Sequence, residues 1–196
     1  MDNHEITWYM QEIVMHGLGA DLEFSALQEA LSDNDKKQSR LVWFRLTSFL
    51  SHSAMISKYL SPINPRGIKK DRMSELRDLL NVEKDSEVLS RDARDNIEHF
   101  DERIDNWIGH RGTILEIVLD SRKALKRFLR EDTIVPDKPR IKRVVLLEEM
   151  IFISEKRSTE HFELELIPLQ REVARITTAA QNWISTSSPY KFVYPR

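Results

Sequence analysis

SEVLSRDARDNIEHFDERIDNWI, residues 86–108, is the most regularly patterned stretch of the chain, and the architecture is read outward from it. Leu89, Ala93, Ile97, Phe100, Ile104 and the pair Trp107/Ile108 recur at steps of three or four, the mark of a helix with one buried stripe. The spacing predicts one helix of about six turns. Ser86 would cap it, Glu87 suits the positive end of the helix dipole, and Gly109 with Gly112 would end it. Its wet side is crowded with charge, from Arg91 and Asp92 to Arg103 and Asp105. A plain reading of that face is a solvated surface laced by i,i+4 pairs such as Arg94 with Glu98 and Asp95 with His99.

Upstream, Ile6, Met10, Ile13, Gly17, Ala20, Phe24, Leu27 and Leu31 step by four and three without a slip, which predicts one long helix from about His4 to Leu31. Gly17 and Gly19 could split it, but Gly17 falls on the apolar stripe, where a neighbouring helix can approach closely. A second long helix is marked by Leu41, Phe44/Arg45, Ser48/Phe49, His52, Met55/Ile56 and Tyr59, and Ser61-Pro62-Ile63-Asn64-Pro65 stops it. His52 on that stripe reads as a core or interface histidine rather than a catalyst. A third helix spans about Lys69 to Asn81, with Ile68, Met73, Leu76, Leu79 and Leu80 inward. Residues 1–112 therefore read as a four-helix unit.

Downstream the pattern changes. Thr113 to Leu119, TILEIVL, satisfies a strand and also, with Leu125 and Phe128/Leu129, a helix; both readings stand. Beyond Pro136 and Pro139, three short β-prone runs between about 142 and 166 predict a small antiparallel hairpin or meander. Pro168 suits the first turn of a last helix whose Leu169, Val173, Ile176, Ala180 and Trp183 face the bundle. Residues 113–196 are thus a basic segment, a small β element and a C-terminal helix packed on the same core, and the fold class is mainly α.

With 196 residues, 40% hydrophobic and 32% charged, the chain can bury a substantial core. It has no cysteine, which removes disulfides, thiolate catalysis and cysteine zinc sites. No apolar run approaches the roughly 18 residues of a membrane span, and MDNHEITWYM lacks the features of a signal peptide, so a cytoplasmic protein without a membrane partner is expected. The motifs of metalloproteases, zinc sites, phosphate loops and nucleophile elbows are missing, and no histidine has a glutamate three positions before it. No metal and no cofactor is expected. Net charge is −2, unlike most nucleic-acid binders, but Arg122 to Arg143 holds nine Lys or Arg against three acids. Lys126, Arg127 and Arg130 in that segment are the candidate RNA contacts; a solvated basic face is the plainer alternative.

Arg94-Asp95-Asn96-Ile97-Glu98-His99 resembles the R-x(4–6)-H motif of the HEPN superfamily, all-helical domains of which many are metal-independent ribonucleases of toxin–antitoxin and defence systems. The likeness covers about residues 1–110. On one straight helix Arg94 and His99 would lie about 140° apart, so they could not share a face. The resemblance implies a homodimer in which two such helices meet and two Arg-His sets line one cleft. It also implies that His99 acts as general base or acid, and that Arg94 stabilises charge on the phosphorane; Asp95, one turn before His99, would orient the imidazole. The alternative is a non-catalytic helical module that uses the charged face to bind a protein partner.

Overall fold

The long N-terminal periodicity becomes a single helix, α1 (Asn3–Ser32), and its predicted stripe from Ile6 to Leu31 is buried throughout. The structure, a computed structural model, describes residues 1–109, 114–129, 141–155 and 161–194, without the side chains of Arg91, Ala93, Arg94, Asn106, Ile114 and Glu155. A capping box starts α1: Glu5 N–H donates to the Asp2 carboxylate at 2.8 Å and Asp2 N–H to the Glu5 carboxylate at 3.1 Å. Neither glycine breaks the helix, because each lies where a neighbour comes close. A Cβ added at Gly17 would meet Thr177 Oγ1 at 1.8 Å, and one at Gly19 would meet His52 Cε1 at 2.6 Å.

The second helix, α2 (Arg40–Leu60), has the predicted extent but a different buried face. Val42, Trp43, Leu46, Phe49, Leu50, Ser53, Ala54, Ile56, Ser57 and Leu60 are buried, while Leu41 and Phe44, both expected inward, are exposed. The stripe is displaced because α2 has neighbours on more than one side: α1, α3 (Ile68–Leu79) and the segment after residue 86 all pack on it. On α3 only Leu76 is buried, with Leu80 just beyond; Ile68 and Leu79 point to solvent, against expectation.

The stretch 86–108 is not one helix. It is a 3₁₀ turn (Glu87–Leu89), α4 (Arg91–Glu98) and α5 (Phe100–Gly109), with the break at His99. Ser86 caps no α-helix; its hydroxyl donates to Glu172 at 2.6 Å. The break has a cause. Asn96 is wholly buried and its amide donates to Ser154 Oγ at 2.7 Å, while the guanidinium of Arg103 takes the carbonyls of Asp95, Asn96 and His99 at 3.4, 3.3 and 2.9 Å. Carbonyls at a helix end need partners, and here one side chain supplies them.

Residues 114–129 are a strand followed by a helix, β1 (Ile114–Leu119) and α6 (Arg122–Leu129). Then come β2 (Ile141–Leu146), β3 (Ile151–Glu155), β4 (His161–Glu165) and α7 (Leu166–Ser187). The antiparallel meander is β2-β3-β4, but β1 adds to it in parallel beside β2, making a mixed four-stranded sheet in the order β1-β2-β3-β4. A parallel neighbour requires a crossover, and α6 lies in it. One sheet face, with Val118, Val145, Phe152, Phe162 and Leu164, joins α1, α2 and α7 in a single apolar cluster, so residues 1–112 and 113–196 share a core. The other face, with Val144, Leu146, Ile151 and Ile153, is covered by Leu125 and Leu129 of α6. Among the described residues, no helix is long and apolar enough to cross a membrane.

Candidate functional site

Arg94 lies inside α4 and His99 at its C-terminal cap, where the backbone leaves the helix at φ −119° and ψ 29°. The separation estimated for one straight helix therefore does not apply. The His99 side chain is 42% exposed, and its Nδ1 stands 3.3 Å from Glu102 Oε1. Glu102, one turn after the imidazole, is thus a carboxylate beside it. The Asp95 carbonyl accepts the His99 N–H at 3.1 Å. The Arg94 side chain lies outside the described atoms. Glu98, its expected i,i+4 partner, is bridged to Lys58 of α2.

Beneath this surface runs a buried polar layer. Ser154, which accepts from Asn96, donates to the carbonyl of Lys142 at 3.1 Å. Arg143 is buried against the Phe100 ring, and its guanidinium donates to Glu116 at 3.2 Å. Glu116 is Arg143's register partner on the parallel strand and also accepts from Arg40 of α2 at 2.5 Å. Burial pushes Arg143 down to about 10; Glu116 opposes the fall and Arg103 adds to it. Arg143 and Arg103 are therefore internal cations that join α5 to the sheet and close α4, with their charged ends turned away from solvent.

The two sets of predicted residues are not brought together within one chain. Asn96 and Phe100 hold α4 and α5 to the sheet face that carries Ser154 and Arg143, whereas α6 packs on the opposite face. Lys126 and Arg127 are exposed on α6, with the sheet between them and His99, and Arg130 lies outside the described residues. Nor is the basic segment one surface. Lys142 and Arg143 are buried in β2, and Arg122 is bridged to Glu163. Among the described residues, no three metal-ligating side chains gather.

Asn96 and Glu102 were given no role of their own by the sequence reading, and Arg103, expected on the wet side, is instead buried because its guanidinium takes backbone carbonyls. A signal for two of them was present: Asn96, Phe100, Arg103 and Trp107 step by four, three and four, a second line along the same stretch. A scan against models of protein families finds no match to this chain, and searches of curated proteins and of solved structures find none either.

Proposed function

We propose that the protein is a HEPN-like, metal-independent RNA endonuclease of a toxin–antitoxin or defence type that works as a homodimer. The observation that supports it is the helix break at His99, which sets a half-exposed imidazole beside Glu102 at the surface, five positions after Arg94. An imidazole in solvent contact and oriented by a carboxylate can take the proton of a ribose 2′-hydroxyl or give one to the departing 5′-oxygen. The 2′-oxygen forms a bond to phosphorus as the bond to the 5′-oxygen breaks, leaving a cyclic phosphate and a 5′-hydroxyl. Arg94 stabilises the charge that builds on the phosphorane. The sheet keeps the Lys126 and Arg127 face of one protomer from its own His99, so RNA lying on both needs a second copy.

The ion pairs His99 with Glu102 and Glu98 with Lys58 favour the second reading, a non-catalytic module in which the motif only ties α4 to α2 and decorates the surface. One experiment separates the two. Purified protein is incubated with labelled RNA in the presence of EDTA, alongside His99→Ala and Arg94→Ala. Cleavage by the parent and a loss of roughly 10²-fold or more in both variants, at an unchanged melt, is the expected result. Cleavage that persists in both variants, or none by the parent, returns the motif to the second reading. Glu102→Gln should lower the rate less than either.

A further inference from the structure

The outer face of α1 carries Trp8, Met15 and Leu22, one heptad apart, with side chains 52%, 57% and 68% exposed. At about 100° per residue the three fall within about 40° of one another, so they form one line on the side away from the buried stripe. A helix apolar on two opposite faces is built to be covered on both. On α1 itself the charge is of one sign, although Arg45 of α2 is bridged to Glu23. Residues 1–35 hold eight acids and no Lys or Arg, and Glu12 and Glu29 are exposed on α1 beside the line.

The chain itself occupies the first part of this line. After α7, residues 188–194 return along α1 and place Tyr190 and Phe192 against Trp8, with ring centroids 5.7 and 6.2 Å apart, while Gln11 donates to the Tyr194 hydroxyl at 2.6 Å. This tail segment is aromatic, contains Lys191, and has no acid; none occurs in the sequence after Glu172. The face thus already holds a segment of cationic, aromatic character. Met15 and Leu22 continue the line with no such cover.

We propose that the Met15–Leu22 half of this face is a docking site for a cationic segment of a partner protein that carries apolar anchors about a heptad apart. A second copy of α1 is the wrong occupant, since face-to-face pairing would set acid against acid with no cation on either helix. Anchors burying Met15 and Leu22 supply affinity, and Lys or Arg beside Glu12 and Glu29 supply register and salt dependence.

The test uses the full chain and a labelled 18-residue amphipathic peptide with Leu and Trp anchors at heptad spacing and Lys elsewhere, read by fluorescence anisotropy. A matched peptide with Glu for Lys is the control. The Lys peptide should bind, the Glu peptide should not, and Met15→Gln with Leu22→Gln should weaken binding at least tenfold. Gln is a good helix former, and the melt should stay at the parent value. A second variant, Glu12→Gln with Glu29→Gln, should flatten the salt dependence. Failure of the Lys peptide to bind, or equal binding by the Met15/Leu22 variant, would overturn the proposal. So would a halved mass of that variant in light scattering, which would make the face a self-interface.

Discussion

α1 and the stretch 86–108 have equally regular apolar spacing, yet one is an unbroken helix of 30 residues and the other is divided at His99. The difference lies in what the buried side contains. The buried side of α1 is apolar or glycine apart from Thr7, whose hydroxyl donates to the carbonyl of Asn3 in the same helix, so its neighbours ask mainly for shape. The buried side of 86–108 contains Asn96 and Arg103, whose polar groups must be matched, and matching them to Ser154 and to backbone carbonyls takes precedence over helix continuity. Periodicity reports which side faces inward. Continuity is decided by where polar atoms find partners.

The comparison breaks most readily at Gly17. Gly17→Ala would drive a methyl into Thr177, whose hydroxyl is held on the carbonyl of Val173 at 2.7 Å. Overpacking of that kind should cost about 3 kcal/mol, measured by chemical denaturation. In a Thr177→Ala background the same change should cost much less. Equal costs in the two backgrounds would mean that α1 and α7 do not cross at this point.

Arg103 tests the other stretch. Arg103→Met keeps the length but removes the donor from three carbonyls, and should cost about 2 kcal/mol. Hydrogen exchange should quicken near residues 96–103. Asn96→Ala removes the buried bond to Ser154 and should cost about 1 kcal/mol. If either variant is as stable as the parent, the break at His99 is set by local propensity and not by its tertiary partners.

The smallest effect concerns α1 and α2. His16 Nδ1 and His52 Nδ1 are 3.0 Å apart, so one must donate and the other accept. Burial, and then the neighbouring His52, lower the His16 pKa, with Glu12 opposing. The unfolded chain holds the His16 proton up to about pH 6.5 and the folded chain releases it at lower pH, so between the two values unfolding takes up a proton. Stability should therefore fall as pH drops through about 6.5 and level off below the folded value. Thermal melts from pH 7.5 to 5 should show a shallow decline that His16→Gln flattens. An unchanged slope in that variant would assign the decline to other groups.

The extents of α1 and α2 were legible because apolar spacing and strong punctuation such as Ser61-Pro62 are local properties. The buried face of α2 was not, since Leu41 and Phe44 are as apolar as Val42 and Trp43, and only the positions of α1, α3 and α4 choose between them. The parallel place of β1 was hidden for a related reason: a strand's register depends on a partner more than twenty residues away. At the candidate site, the spacing of Arg94 and His99 is a local property, whereas the place of Glu102 beside the imidazole is not. Asp95 and Glu102 are both one turn away, and spacing alone does not show that Glu102 stands 3.3 Å from the ring.

The junction of β4 and α7 bears on how the molecule would respond to force. Glu165 ends the strand and Leu166 begins the helix, with no connecting loop, and Leu166 N–H is fastened to the carbonyl of Met150 at 3.0 Å. Tension applied along α7 therefore reaches the sheet without slack. It would load the β3–β4 ladder before any linker could stretch, which makes the final helix a rigid handle on the meander rather than a tethered appendage.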